Sequence, residues 1–334
     1  MSLTIIKAGI QDSIQDLGRY GHQHLGINPS GAMDKYALQI ANMLVGNELN
    51  EAVLEMHFPA SVFLFKQQAM IAITGADFSP SINGEMIPSG HALIVNKNDV
   101  LQFHKPIDGA RAYLAVKGGY NVPFWLNSKS THMKAVAGGF NGRSLQKNDE
   151  LPINSPFKTK KTVSAFAILP WKADNDLMPV KGSHASMEVF VLAGQEWDRL
   201  ATESKENFEM TSFVITQQSD RMGYRLDNIP FPVMSREELV SSPVCSGTIQ
   251  LLPDGKLIVL MADHQTTGGY PRIAHVITAH RSRMAQLKAG DKVHFKLTDQ
   301  LTAEDLLIKQ EMHLQQLRNA CTFRLEEYLH ATGY

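Results

Sequence analysis

Short apolar or alternating runs recur along the chain, separated by Gly, Pro, Asn and Asp. In the first half they are Leu3 to Ile6, Ser61 to Phe65, Met70 to Thr74, Ala92 to Val95, Val100 to Phe103 and Ala112 to Val116. Runs of this length, bounded by residues that supply turn conformations, predict strands. Asn83-Gly84 is the sharpest hairpin signal, because both residues tolerate the positive φ that a two-residue type I′ turn requires. One segment breaks the pattern. Met33, Tyr36, Ala37, Ile40, Ala41, Leu44 and Val45 recur at helical spacing, with Ser30 as the expected N-cap, Asp34 at the positive end of the dipole and Gly46-Asn47 as the stop.

Residues 152–185 differ again, with Pro152, Pro156, Pro170 and Pro179 and a cluster of Lys158, Lys160 and Lys161. They read as the crossing into a second domain that opens on the apolar run from Met187. Strands are predicted there at Phe213 to Thr216, Gly247 to Leu252, Leu257 to Met261, Ile273 to Thr278 and Lys292 to Leu297. After residue 300 the pattern turns helical: Thr302-Ala303-Glu304-Asp305 fits a capping sequence, and Leu307, Leu314, Leu317, Cys321 and Tyr328 follow at helical spacing. The chain is therefore expected to be mainly β, with a first domain over 1–185 (linker from about 152), a second over 186–300 and a helical tail over 301–334. Two short matches suggest internal duplication. Residues 97–103 resemble 289–295, and 70–78 resemble 187–197.

Composition narrows the classes. At 334 residues the chain is long enough for two cores. With 32 Lys plus Arg against 33 Asp plus Glu, it carries no electrostatic footprint for nucleic acid or an anionic membrane. Two cysteines, Cys245 and Cys321, leave room for one pairing but not for a disulfide framework. The opening stretch holds only a five-residue apolar cluster, neither a secretory core nor a span, so the cytoplasm is the expected compartment.

No P-loop, dinucleotide fingerprint, H-E-x-x-H, paired C-x-x-C or G-x-S-x-G occurs. His22 and His24 would share one face of a strand but lack a third ligand nearby, and no metal site is expected. Three segments offer chemistry. Ala262 to Arg272 joins two apolar runs and exceeds what a hairpin turn needs. There Thr266, Thr267, Gly268 and Gly269 offer hydroxyls and approachable backbone N–H groups, Arg272 a planar fork for a carboxylate, and Asp263 an acid or base; Tyr270 lies between them. An Asp263–Arg272 pair in a long polar loop is the competing reading. The second segment, Asp16 to Gly31, brings Arg19 and Ser30 to the start of the helix, a natural anion site, unless Asp16 simply pairs with Arg19. In the third, Arg221 and Arg225 flank Gly-Tyr; they suit a carboxylate clamp or pairing with Asp220 and Asp227. Asp77, at a strand end, is a further candidate acid or base.

Several of these blocks together resemble the KipA-like family, also known as the 5-oxoprolinase C subunit or allophanate hydrolase subunit 2. They are Asp16-Leu17-Gly18-Arg19, Pro29 to Asp34, Leu44 to Asn47, Thr74 to Asp77, Ser219 to Leu226 and Gln265 to Ala274, in that order. The resemblance runs from about residue 5 to residue 297. It implies two cyclophilin-like β-barrel domains. It also implies action with two further subunits, a KipI-like one (B) and another (A), in the ATP-dependent opening of 5-oxoproline to glutamate. ATP would act at the level of the complex, and this chain alone would do little. Two alternatives follow from the same resemblance: a carboxyltransferase of the urea carboxylase kind, which takes its carboxyl from carboxybiotin, or a regulator that antagonises a KipI-like kinase inhibitor. In each enzyme reading an activated carboxyl or phosphoryl group is handled beside a small amide. Thr266, Thr267, Gly268 and Gly269 would then stabilise developing charge, with Arg272 and Arg221 on carboxylate. His264 stands where relatives often carry Arg, which weakens any fixed positive charge there.

Overall fold

The computed structural model describes residues 2–154, 165–173, 186–232 and 239–332. The Lys158, Lys160 and Lys161 cluster and Pro156 and Pro179 of the expected crossing lie outside them. The chain forms two compact units: Met1–Gly18, Asp34–Pro179 and Met312–Tyr334 in one, Arg19–Met33 and Val180–Glu311 in the other. The protein is mainly β, as its punctuation predicts. Among the described residues no helix is long and apolar enough to cross a membrane.

The first unit holds two six-stranded sheets, and its hydrophobic core draws on both. One sheet is centred on Ser2–Lys7 and Val62–Phe65, the other on Ala69–Asp77 and Asp108–Val116. Leu3, Ile5, Phe63 and Phe65 from the first meet Ile71, Ile73, Leu93 and Leu114 from the second in that core. Asn83 and Gly84, at φ 53° and 87°, make the expected turn between Pro80–Ile82 and Glu85–Met86. The helix is Lys35–Val45, and it closes at left-handed Gly46 (φ 67°) with Asn47 N–H donating to Asn42 O. Its N-cap is Asp34, whose Oδ1 accepts from Ala37 N at 3.0 Å, and not Ser30. A carboxylate at that end already complements the dipole.

The second unit is a closed seven-stranded barrel of Met187–Ala193, Arg272–Val276, Thr248–Leu251, Leu257–Leu260, Gly223–Asp227, Ser212–Ile215 and Lys292–Leu297, in that order round the ring. Closure removes free edges. Phe208, Phe213, Phe231 and Phe295 cluster in its core with Val189, Val191, Ile249 and Val259. Met187–Ala193 runs parallel beside Lys292–Leu297. Their sequence counterparts Ala69–Asp77 and Val100–Phe103 belong to different sheets, so the short matches do not extend to strand pairing. The terminal helix spans Gln300–Thr332, two residues ahead of the expected cap, because Asp299 accepts from Thr302 N (2.8 Å). From Met312 onward it belongs to the first unit, where Leu314, Cys321 and Leu325 are buried and Trp171 meets Tyr328 edge to face.

One buried carboxyl makes the first unit sensitive to pH. Asp12 is 1% exposed and accepts from Ser61 N (2.7 Å) and His57 N (3.2 Å). Burial outweighs those bonds and raises its pKa to about 6. Because the folded value lies above the unfolded one, this group favours folding below pH ~4 and loses that contribution as pH rises through 6. The expected drop is about 3 kcal/mol at about 1.4 kcal/mol per pKa unit. Chemical denaturation of wild type and Asp12→Asn across this window should show wild type losing that much relative to the variant. A pH-independent difference would mean that Asp12 ionises as an ordinary surface carboxyl.

Candidate functional site

Strand alternation in the second unit decides which arginine faces out. In Gly223–Asp227, Tyr224 and Leu226 point into the barrel core, which leaves Arg225 on the outer face. Register then lines up a row across four neighbouring strands. Arg225 lies opposite Ile258, Ile258 opposite Gln250, and Gln250 opposite Arg272. Over this row lies a groove of about 560 Å³, lined by Gln218, Asp220, Arg225, Gln250, Gln265 and Tyr270 among others.

The groove is rich in amides. Gln250 is 1% exposed; its Nε2 donates to Tyr270 O (3.5 Å), and its Oε1 accepts from Gln265 Nε2 (3.5 Å). Those contacts are long and leave room to reorient toward a ligand. Gly268 lets the loop pass close to this amide: a Cβ there would lie 2.6 Å from Gln250 Nε2, the movable end of the side chain. The Arg225 guanidinium has no ion-pair partner among the described residues. Asp227, considered as its partner, pairs with Lys256 (2.9 Å), and Asp220 accepts from Met222 N (2.8 Å).

Arg221 and Arg272, the two arginines expected on carboxylate, are already engaged. Arg221, 5% exposed, donates through Nε to Asp263 Oδ2 (2.8 Å) and through Nη2 to Asp263 Oδ1 (3.2 Å) and Gly31 O (2.6 Å). Ser30 Oγ donates to Asp263 Oδ1 (2.7 Å), and Asn28 Nδ2 donates to Asp263 O (2.9 Å). Ser30 takes a left-handed φ of 53°, which this bond helps to hold. Ser30, Arg221 and Asp263 thus come together, but as a packed ion-pair network. Arg272 places Nε (3.1 Å) and Nη2 (2.8 Å) on the Glu196 carboxylate, not on Asp263, and these hydrogen bonds hold the Glu196 carboxyl below the usual range.

The loop residues divide as well. Thr267–Gly268 pairs with Ser242–Pro243 as a two-stranded ribbon, and Thr266 O accepts from Val244 N (3.1 Å). Part of the expected backbone cradle therefore serves as sheet, because the ribbon uses the same polar groups. The Thr267 side chain and Tyr270 remain exposed, and Gly269 follows the ribbon. His264 is 2% exposed, with Nδ1 2.5 Å from Gln265 O, so it braces the loop. Asp77 belongs to the first unit and accepts from Ser79 N (2.7 Å), a turn cap at its strand end. Arg19 is 1% exposed and its N–H donates to Pro29 O (2.7 Å). Asp16 accepts from Ser128 Oγ (2.7 Å), Ser130 Oγ (2.5 Å), Lys129 N (2.6 Å) and Gly18 N (2.7 Å). His22 caps a 3-10 turn, Gln23–Leu25, that contains His24, so the two do not share a strand face. Sequence reasoning missed Gln218 and Gln250, and gave Gln265, inside the candidate loop, no role of its own. The alternation of Gly223–Asp227 and its pairing with Leu257–Leu260 was the signal that separates Arg225 from Arg221.

Known proteins share this architecture. Residues 25–297 match the family described as carboxyltransferase domain, subdomain A and B. The chain is 35% identical to the 5-oxoprolinase C subunit of Escherichia coli strain K12, over 88% of this chain and 90% of that protein. It is 31% identical to the protein of the same name from Haemophilus influenzae, over 95% and 97%. The urea amidolyase structure from K. lactis superposes on 95% of this chain with a TM-score of 0.87 at 27% identity; this chain spans 20% of that protein's length.

An Asp263→Ala substitution should cost about 3–5 kcal/mol in denaturant unfolding, since it strands the buried Arg221 charge, whereas Arg225→Ala should leave the unfolding midpoint unchanged. A cost near zero at Asp263 would mean that the pair is solvated. With most of its length matched in order, and with relatives above 30% identity over nearly whole chains, the protein belongs to the carboxyltransferase subdomain A and B family.

Proposed function

We propose that this chain is the C subunit of an ATP-dependent 5-oxoprolinase, opening 5-oxo-L-proline to L-glutamate together with A and B subunits. The observation that carries this reading is the pair of relatives named as 5-oxoprolinase C subunits, matched over nearly their whole lengths at 35% and 31% identity. The substrate is small, with a ring amide and one carboxylate. The groove supports such a ligand. Arg225 supplies a fork for the carboxylate, and Gln218, Gln250 and Gln265 supply amide donors and acceptors that complement the lactam N–H and C=O. Tyr270 lines the groove, and Thr266, Thr267 and Gly269, in the loop between it and Gln265, contribute hydroxyl and backbone donors to developing negative charge. In this reading Asp263, Ser30 and Arg221 hold the groove's rim in place and transfer no proton, and Arg272 fixes its far end through Glu196. Arg19 and Asp77 take no part.

ATP supplies the activated phosphoryl group at the level of the complex. The chain carries no P-loop, so nucleotide binding falls to a partner or to a composite site, and the chain alone is inactive. The kinship with urea amidolyase favours a second reading, carboxyl transfer from a biotinylated partner to urea or a related amide.

The deciding assay reconstitutes the chain with its A and B subunits and follows ATP-dependent glutamate release from 5-oxoproline. Arg225→Ala and Gln250→Ala should each raise KM by about tenfold or more without changing complex assembly, as expected when a charge-assisted or buried hydrogen bond to substrate is lost, and the exposed Arg225→Ala should do so with no change in unfolding midpoint. Wild-type kinetics in Arg225→Ala would remove the groove from the site. Carboxylation of urea by a biotin-containing complex, with no lactam opening, would establish the second reading.

A further inference from the structure

Outside the groove, one cluster of nucleophilic and titratable side chains has no role in that reading. Cys245 follows the ribbon strand Ser242–Pro243 and precedes the barrel strand Thr248–Leu251. Its Sγ lies 3.5 Å from Thr248 Oγ1, and Thr248 Oγ1 lies 3.2 Å from His275 Nδ1. Thr248 and His275 face each other in register on neighbouring barrel strands, so the sheet fixes the relay. Arg281 closes the cluster. A Cβ on Gly247, inside the same turn, would lie 3.4 Å from Arg281 Nε, and that buried Nε has no hydrogen-bond partner among the described residues. The unpartnered Nε of half-buried Arg281 thus lies against the turn that carries the exposed Cys245, and its charge favours an anion on that sulfur.

The second cysteine provides the contrast. Cys321 is 3% exposed on the terminal helix, and burial pushes its thiol up to about 11. Cys245 is drawn down to about 7, first by hydrogen bonding toward His275 and further by Thr248 and the Arg281 charge, against the cost of partial burial. Both thiols are free.

We propose that Cys245 is a modification site for small hydroperoxides, with His275 and Thr248 holding the thiolate and Arg281 receiving the oxygen of the sulfenic acid formed. The sulfur attacks the terminal oxygen of the peroxide. An S–O bond forms and the O–O bond breaks, so sulfur is oxidised by two electrons and the hydroperoxide is reduced to its alcohol. The thiol proton passes through His275 to the leaving alkoxide. Because Val244 N donates to Thr266 O, an adduct at Cys245 bears directly on the ribbon that carries Thr267 and Gly268.

The test uses the intact chain with both cysteines present. Limiting hydrogen peroxide followed by dimedone trapping, read by peptide mass, should place the adduct on Cys245 with at least about tenfold preference over Cys321, and iodoacetamide alkylation of Cys245 should rise through a midpoint near pH 7. His275→Gln should slow both reactions and move the midpoint upward. Equal labelling of the two cysteines, a Cys245 midpoint near pH 9, or rapid alkylation without a dimedone adduct would each overturn the proposal. The wild-type comparison decides even where the His275 variant does not fold.

Discussion

The Arg221–Asp263 pair is the contact on which the candidate site depends. Both groups are withdrawn from water, with side-chain exposures of 5% and 15%. Each ion is therefore stable only while the other is present and the remaining hydrogen-bonding capacity is met. Gly31 O, Ser30 Oγ and the doubled Arg–Asp contact meet it. A backbone bond from Asp263 N to Arg221 O (2.8 Å) ties the same two residues again. The result joins three stretches far apart in sequence, around residues 28–31, 221 and 263, at the ends of the strands that carry Arg225 and Ile258.

Fixing those strand ends has a consequence for charge. With Arg221 held by Asp263 and Arg272 by Glu196, Arg225 is the guanidinium left on the outer face of this part of the barrel to meet a ligand. The neighbouring residues in its row are an aliphatic side chain and a buried amide, Ile258 and Gln250. With Asp220 and Asp254 also on the lining, a groove with one arginine and several amides suits a small molecule with one carboxylate and one amide better than a polyanion, which would call for several cations.

The strand pattern was legible because short apolar runs and turn residues act locally. Val100 to Phe103 and Lys292 to Leu297 coincide with observed strands, and Asn83-Gly84 turns as its side chains dictate. Caps were less legible. Ser30 and Asp34 are both competent N-caps, and tertiary bonding of Ser30 to Asp263 leaves the cap to Asp34. In the site, the loop from Asp263 to Arg272 stood out by length and composition, but its division into ribbon and groove depends on pairing with Ser242–Pro243, a partner remote in sequence. The arginines could not be ranked from sequence because Arg221 and Arg225 sit in the same motif. Only register and burial place one inside an ion pair and the other in the groove. Gln218 and Gln250 escaped notice since a lone glutamine carries no signature until a fold gathers several.

The most direct test of the central claim is a crystal structure of the reconstituted complex with 5-oxoproline bound. The account predicts ligand density in the groove, with its carboxylate on Arg225 and its ring amide within hydrogen-bond distance of Gln250 or Gln265, while Arg221 stays on Asp263. Density at Arg221 with the Asp263 pair broken, or a ligand bound away from the Arg225–Ile258–Gln250 row, would contradict it.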